Sequence, residues 1–424
     1  MKVLTRRPSC RRVTFILLLS ILISLAAFVL SPIAKEAYVA VKTLYYAENV
    51  ITSVIVDEDI DIRHKVLTQE QMDSTNITKM EQKVEDATFF TICRNSDIQG
   101  ILQSIKSVEK RFNKDYHYPW VFANDVPFSE EFRSAISDAV SGDSIFTTIP
   151  KEYWQVPDHV DKKWMKKQLT YMKSQEVLYG DSLSYRQMCR FNSGFFYKLK
   201  ALAPYNWYWR VEPDIQFHCD LPEDLFRTMV NNDKSYGFVL AMTEDKRTIS
   251  KLWPQSRDYF EKLPSWHVNP NLRVGDTYTQ NILSTSLGFI EDNSDLKESI
   301  RGEYNTCHYW SNFEIANLNL YRNDIYEGYF QHLDRTGNFF YERWGDAPVH
   351  SIAFSYMLSP EEIQYFDNTG YFHGKVGNCP RERNVLSELN CSCKSRQDFS
   401  WKQWSCVPRW FRGLNMSPPR RSVP

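Results

Sequence analysis

Trp207-Tyr-Trp-Arg-Val-Glu-Pro-Asp-Ile-Gln-Phe-His-Cys-Asp220 is an aromatic and β-branched run that leads into two carboxylates flanking a proline. Most of its first five residues are strand formers, so we expect a buried strand over 207–211. Pro213 cannot donate a backbone hydrogen bond, so the strand must end there or reach a sheet edge. Glu212 and Asp214 then place two hard oxygen ligands on one stiff turn, which suits a divalent cation. The alternative is an acidic turn without chemistry.

The chain before this run alternates between strand and helix patterns. Short apolar runs at Ala87–Cys93, Trp120–Ala123 and Ile145–Ile149 predict three strands. Apolar residues recur at helical spacing from Ile98 to Val108, and Ser129 is suited to cap a second helix. This alternation predicts an α/β fold with a mostly parallel sheet flanked by helices.

Two later segments complete the predicted fold. Tyr236–Met242 has the composition of a further strand, and Trp310–Asn317 has the pattern of a turn that leads into a helix. In a parallel sheet, ligands bind beyond the carboxyl ends of the strands. Arg94 and Glu212 each follow a predicted strand, so we expect both at that edge.

The N-terminus predicts a membrane anchor. Five basic residues precede Val13–Leu30, which is uncharged and, extended through Ala34, long enough to cross a bilayer as a helix. The basic flank predicts a cytoplasmic N-terminus. A cleaved signal peptide is the alternative, but the apolar run is long and no clear Ala-x-Ala cleavage site follows it.

These patterns define the expected domain organisation. We expect a cytoplasmic tail at 1–12, a transmembrane signal-anchor at 13–34, a polar stem at 35–86, a single luminal domain at 87–412 and a tail at 413–424. Cys10 falls on the cytoplasmic side, which leaves eight luminal cysteines for disulfides whose pairing the sequence does not reveal. A metal site at Cys391-Ser-Cys393 is the weaker alternative, because no second cysteine pair at zinc spacing accompanies it.

Composition and missing motifs exclude several function classes. The formal net charge of −1 provides no overall basic field for binding nucleic acid. The chain has no Gly-x-Gly-x-x-Gly after its first strand, no phosphate-binding loop and no His-Glu-x-x-His, which argues against dinucleotide oxidoreductases, nucleotide hydrolases and zinc peptidases. An acidic metal turn with 15% aromatic residues favours sugar-nucleotide chemistry.

Five segments together resemble a known family. They are Phe89–Asp97, Tyr179–Phe196, Tyr208–Asp214, Trp310–Asn317 and Tyr341–Ile352. In this order they resemble the fungal α-1,2-mannosyltransferases of the Golgi, glycosyltransferase family 15. The resemblance implies a GT-A-like fold and a type II Golgi membrane protein with a luminal catalytic domain. It also implies retaining transfer of mannose from GDP-mannose, with Mn²⁺, to mannose-containing N- or O-linked glycans of glycoproteins.

The resemblance also implies roles for individual residues. Glu212 and His373 match the metal ligands of the family, and Arg94 and Tyr185 match positions that contact the guanine nucleotide. Glu314 matches the proposed nucleophile. Retention requires either a double displacement through a carboxylate or a front-face reaction, and the sequence leaves both open. Without the resemblance, His373 would be interpreted as an ordinary loop histidine and Tyr185 as a packing residue.

Two alternative functions stay open at this point. A mannosylphosphate transferase would also use GDP-mannose but would not need Glu314 as a nucleophile. A catalytically silent luminal mannan-binding protein would need neither a metal nor a nucleophile. The chain also departs from the family around Pro264–Asp295, a region that we expect to border the acceptor site, and in Gly370–Lys375, where Gly-Lys follows His373.

Overall fold

A mixed sheet of eight strands forms the centre of the computed structural model. The strands of the described chain are β1 Ile60–Arg63, β2 Ala87–Ile92, β3 Trp120–Asn124, β4 Ser144–Thr148, β5 Trp207–Val211, β6 Ile215–Phe217, β7 Tyr236–Phe238, β8 Ala241–Thr243, β9 Ile290–Glu291, β10 Glu303–Tyr304, β11 Cys307–Tyr309, β12 Phe313–Asn317, β13 Ile363–Tyr365, β14 Tyr371–His373 and β15 Val376–Gly377. The central sheet has the order β1-β4-β3-β2-β5-β12-β7-β13.

Helices flank this sheet. The α-helices of the described chain are α1 Gln69–Ser74, α2 Ile77–Glu81, α3 Ile98–Arg111, α4 Glu130–Ala139, α5 Lys151–Trp154, α6 Lys162–Ser174, α7 Leu183–Gly194, α8 Leu225–Asn231, α9 Leu252–Glu261, α10 Asp324–Arg335, α11 Asn338–Tyr341, α12 Asp346–Met357, α13 Arg383–Glu388 and α14 Val407–Gly413. Short 3₁₀ turns connect several of them, including Asn95–Asp97 between β2 and α3.

The directions of the strands confirm a mostly parallel sheet. Strands β2 to β5 run parallel to one another, and β13 runs parallel to β7. Strand β12 is antiparallel to both of its neighbours, β5 and β7, and β1 is antiparallel to β4. Only β1 and β12 therefore oppose the common direction, and the α/β prediction is confirmed.

Strand β5 lies inside this sheet with both faces covered. Tyr208 packs in one hydrophobic cluster, whereas Trp209 and Val211 pack in the cluster on the opposite face. Trp209 and Tyr208 are fully buried. Each aromatic side chain removed from water in this way contributes about 1.5–3 kcal/mol of hydrophobic stabilisation, which is why this run forms the centre of the fold.

Most of the predicted elements occur where the sequence places them. Strands β2, β3 and β4 match the three predicted runs to within a residue or two, and the helical spacing from Ile98 falls in α3. The side-chain oxygen of Ser129 accepts a hydrogen bond from the Phe132 amide at 3.2 Å, so Ser129 caps α4 as expected.

One prediction about local structure is wrong, and two others are corrected in part. Trp310–Asn317 does not lead into a helix, because Phe313–Asn317 is strand β12, buried on both faces and paired with β5. Tyr236–Met242 is two short strands, β7 and β8, which belong to different sheets. Ile60–Arg63 falls within the predicted stem but pairs with β4, so the sheet begins before residue 87.

The structure describes residues 59–74, 76–81, 83–84, 86–263, 290–291 and 303–413. The predicted anchor at 13–34, nearly all of the predicted tail at 413–424 and most of Pro264–Asp295 lie outside these residues. Within the described residues, no helix combines the length and the apolar character that a membrane span needs.

Three disulfides join described cysteines. They are Cys219–Cys391, Cys307–Cys406 and Cys379–Cys393. In the same part of the chain, Cys93 and Cys189 are buried free thiols. Because the two cysteines of Cys391-Ser-Cys393 bond to different partners, the metal-site alternative for that pair is excluded.

Candidate active site

The turn after β5 is held against helix α3. Ser104 Oγ donates to the carbonyl of Glu212 at 2.8 Å and accepts from the Ile215 amide at 3.0 Å. The amide of Asp214 donates to the Gly100 carbonyl at 3.1 Å. These three hydrogen bonds fix the main chain on both sides of Pro213.

The two carboxylates of this turn point to different places. Asp214 has a φ of 64°, and its carboxylate packs against the first turn of α3, where a Cβ on Gly100 would meet its Oδ1 at 2.8 Å. Glu212 instead lines a cavity of about 700 Å³ at the carboxyl ends of β2, β3 and β5. Only Glu212 of this pair is therefore placed for chemistry in the cavity.

Strand pairing brings His373 to the same cavity. The turn continues directly into β6, and β14 pairs with β6 so that His373 lies opposite Ile215. His373, Arg94 and Tyr185 all line the cavity together with Glu212. The structure therefore brings together four of the five predicted site residues.

Glu314 is the exception. It lies on β12 and is 1% exposed, and it is not among the residues that line the cavity. Tyr208 and Tyr236 donate their hydroxyls to its two carboxylate oxygens at 2.5 and 3.0 Å, and His350 Nδ1 lies 3.3 Å from Oε2. In this arrangement the carboxylate would have to leave three partners before it reached a sugar in the cavity.

An ion-pair network forms the floor beneath Glu212. Arg210 Nε donates to Glu212 Oε1 at 2.6 Å, and its Nη1 donates to Asp346 Oδ2 at 2.6 Å. Ser311 Oγ also donates to Asp346, at 2.7 Å. Burial alone would lower the pKa of Arg210, but the charges of Glu212 and Asp346 raise it well above its ordinary value.

The same network sets the ionisation of Asp346. Burial would raise the pKa of this carboxyl group, but the charge of Arg210, followed by that of His350, holds the pKa below its ordinary value. Asp346 is also the first residue of α12, where the helix dipole favours a negative charge. Arg210 and Asp346 were not predicted, although an arginine inside an apolar strand was a visible signal.

Aromatic stacking fixes the ring of Tyr185 in the wall of the cavity. Its ring stacks on that of Tyr179 with centroids 4.5 Å apart and 12° between the planes. Arg343 Nη1 donates to the Tyr185 hydroxyl at 3.2 Å, while Nη2 donates to Glu244 at 3.0 Å. Tyr179, Arg343 and Glu244 also line the cavity, and sequence reasoning assigned them no role.

Comparison with known proteins assigns the family. The sequence profile of the family described as glycolipid 2-alpha-mannosyltransferase matches residues 45–415. This chain belongs to that family. Among similar proteins, O-glycoside alpha-1,2-mannosyltransferase homolog 3 of Schizosaccharomyces pombe is 42% identical over 355 residues, which cover 83% of this chain and 89% of the relative.

Two solved structures are similar over most of their length. Core-mannan synthase A from Aspergillus fumigatus, in a form described as Mn/GDP, is 34% identical, with a TM-score of 0.67 and coverage of 81% of this chain and 90% of that one. The mannosyltransferase Ktr4p from Saccharomyces cerevisiae, in complex with GDP, is 31% identical, with a TM-score of 0.70 and coverage of 89% and 92%. The family resemblance inferred from five motifs is thereby confirmed.

The chemistry of two residues that line the cavity, Glu212 and His373, fits a divalent cation. The described residues contain no cluster of three or more His, Cys, Asp or Glu side chains suited to hold a metal. Glu212 and His373 would offer one carboxylate and one imidazole, a pair that Mn²⁺ accepts more readily than Mg²⁺ does. Arg94 and Arg343 line the same cavity and favour an anionic substrate, whose oxygens would fill the remaining positions.

Proposed function

We propose that this chain is a retaining α-1,2-mannosyltransferase. It moves mannose from GDP-mannose to mannose-containing N- or O-linked glycans of glycoproteins and uses Mn²⁺. The convergence of Arg94, Tyr185, Glu212 and His373 on one cavity carries this proposal. The α-1,2-mannosyltransferase name of the fission yeast relative and the bound ligands named for the two solved structures support it.

The cavity supplies separate contacts for the parts of the donor. The exposed guanidinium of Arg94 is suited to pair with the nucleotide phosphates, and the fixed ring of Tyr185 is suited to stack or to donate from its hydroxyl. Glu212 and His373 would hold the metal. When bound there, Mn²⁺ neutralises the charge of the diphosphate leaving group as a Lewis acid. Arg210 keeps Glu212 in place by pairing with its Oε1.

The nucleophile role of Glu314 rests on the family resemblance alone. Its burial and its three hydrogen-bonding partners support a different role. In this role Glu314 accepts hydrogen bonds from Tyr208 and Tyr236 and pairs with His350 in the interior. A front-face reaction retains configuration without an attacking carboxylate from the protein. We therefore infer that Glu314 contributes to the structure of the floor and that transfer follows the front-face route.

We also propose that the fold is GT-A-like and that the chain is a single-pass type II protein of the Golgi membrane with its catalytic domain in the lumen. The membrane is then a partner through the helix expected at 13–34. The basic flank of that segment and the acidic turn at Glu212 support these proposals. The three disulfides of the described chain fit an oxidising lumen.

The test uses the full-length chain in detergent with GDP-mannose, Mn²⁺ and a short α-mannoside acceptor. Products are analysed by mass spectrometry before and after digestion with α-1,2-mannosidase. We expect a gain of one hexose that the mannosidase removes. A gain of hexose plus phosphate would assign mannosylphosphate transfer instead. Binding of GDP without transfer to any acceptor of a mannoside panel would favour a mannan-binding protein.

A further inference from the structure

The loop before β12 contacts His373 on two sides. The terminal amide of Asn312 lies 2.6 Å from His373 Nδ1, and the ring of Trp310 stacks on the imidazole with centroids 5.8 Å apart and 25° between the planes. The Tyr371 hydroxyl donates to the main-chain carbonyl of Asn312 at 3.1 Å, which ties the loop to the strand that carries His373. The imidazole is therefore held at one edge and on one face.

The contact between Asn312 and His373 has two chemically different forms. If the amide nitrogen donates to Nδ1, the imidazole proton is on Nε2, and that nitrogen has no lone pair for a cation. If the amide is rotated by half a turn, its oxygen accepts from Nδ1–H, and Nε2 presents a lone pair. Only the second form makes His373 a ligand through Nε2.

We propose that Asn312 is a positioning residue that selects the Nδ1–H tautomer of His373. The inference rests on the proposed metal site and deepens it. Histidines that bind metals generally donate their other ring N–H to an oxygen of the protein, which fixes the tautomer and the ring orientation. In the second form, Asn312 Oδ1 supplies this oxygen and leaves a lone pair on Nε2 of His373, which lines the same cavity as Glu212. Asn312 itself does not bind the metal.

The geometry of the loop suits this role. Asn312 directly precedes β12, whose pairing with β5 fixes its position relative to Glu212 at the end of β5. β14 in turn is fixed to β6 on the far side of the Glu212 turn. Both proposed ligands and the asparagine are therefore attached to paired strands, and a half-turn of the Asn312 side-chain amide exchanges the two forms without moving the main chain.

The test compares two substitutions at this position. Asn312→Asp can only accept from Nδ1–H, so it should bind Mn²⁺ no more weakly than the wild type. Asn312→Leu has a similar size but offers no oxygen, so it should weaken Mn²⁺ binding by about 10- to 100-fold. Asn232, an exposed residue in the turn after α8, supplies the matched controls Asn232→Asp and Asn232→Leu, which should change nothing.

Mn²⁺ binding to the full-length chain is measured by the electron paramagnetic resonance signal of free Mn²⁺ in the presence of GDP. GDP binding in EDTA and the thermal midpoint serve as readouts of folding, and both should match the wild type in all four variants. Long-range ¹H–¹⁵N spectra of histidine-labelled chain report the tautomer directly. We expect Nδ1–H for His373 in the wild type and Nε2–H in Asn312→Leu.

The outcomes separate this inference from the proposed function. If Asn312→Leu binds Mn²⁺ like the wild type while His373→Ala loses binding, the inference is refuted and the metal site stands. A wild-type His373 that keeps Nε2–H with Mg²⁺ and GDP added would also refute the inference. If His373→Ala and Glu212→Gln both bind Mn²⁺ like the wild type, the proposed metal site itself fails.

Discussion

Replacing Glu314 with glutamine tests whether this carboxylate supports the fold or attacks the sugar. The substitution removes a buried negative charge and turns one of two acceptor oxygens into a donor. That donor would then face Tyr208, or Tyr236 and His350, which now direct their own polar groups at the carboxylate. Leaving such a buried network with an unmatched partner costs about 3–5 kcal/mol.

This free energy has a measurable consequence for unfolding. For a large domain, each kcal/mol lowers the thermal midpoint by roughly 2 °C, so Glu314→Gln should lower it by roughly 6–10 °C. Glu361→Gln is the matched control, because Glu361 is exposed on a surface turn and should leave the midpoint unchanged. Circular dichroism at rising temperature measures both variants.

Turnover of the same variants decides between the two roles. At a temperature where Glu314→Gln is still folded, we expect reduced but measurable transfer from GDP-mannose, because no bond to the carboxylate has to form. A variant with the wild-type midpoint and no detectable transfer would refute this reasoning. That result would mean that Glu314 leaves its three partners and reaches the sugar.

Glu212→Gln keeps an oxygen for Arg210 but loses a charged ligand, so Mn²⁺-supported transfer should disappear while the thermal midpoint stays near that of the wild type; unchanged turnover would exclude the metal assignment. The pKa of Asp346 is lower in the folded protein than in the unfolded chain, where it is about 3.9. The ionised carboxylate therefore stabilises the fold fully above the unfolded pKa, and this stabilisation is lost as pH falls through the folded pKa. The unfolding free energy of Asp346→Asn, measured in urea, should therefore fall less steeply than that of the wild type as pH decreases below about 5; parallel curves would contradict the assignment. Gly100→Ala places a methyl group 2.8 Å from Asp214 Oδ1 and should weaken GDP binding in calorimetry, whereas Gly100→Ala with Asp214→Gly should restore it; a single variant that binds GDP normally would show that the turn adapts.

The sequence predicts the half of the sheet that contains β2 to β5 well, because these strands are short apolar runs and amphipathic helices separate the first three of them. Strand β12 was mistaken for the start of a helix because both of its faces are buried, which removes the alternation that identifies a strand. Strand β1 was assigned to the stem because Ile60–Arg63 is short and half polar, and only its pairing with β4 makes it part of the fold.

The candidate site, like the sheet, can be predicted from the sequence only in part. Residue chemistry alone indicated Glu212, since two carboxylates around a proline are unusual at a strand end. The strand pattern also placed Arg94 at the ligand-binding edge, whereas its role and the whole assignment of Tyr185 and His373 depended on the family resemblance. The structure places all three residues at the cavity. The pairing of Arg210 with Asp346 joins residues 136 positions apart, a contact that no local pattern encodes. Tertiary pairing of this kind leaves no signal in the local sequence.

The strand that carries His373 begins next to a disulfide bond. Gly370, just before β14, packs against Cys219, where a Cβ would meet the sulfur at 2.6 Å, and its carbonyl accepts from the His218 amide at 2.8 Å. Cys219 in turn is bonded to Cys391. The Cys219–Cys391 disulfide therefore packs directly against the residue before the strand that carries His373, a proposed metal ligand. A reducing agent that opens this bond should therefore disturb the candidate site as well as the fold.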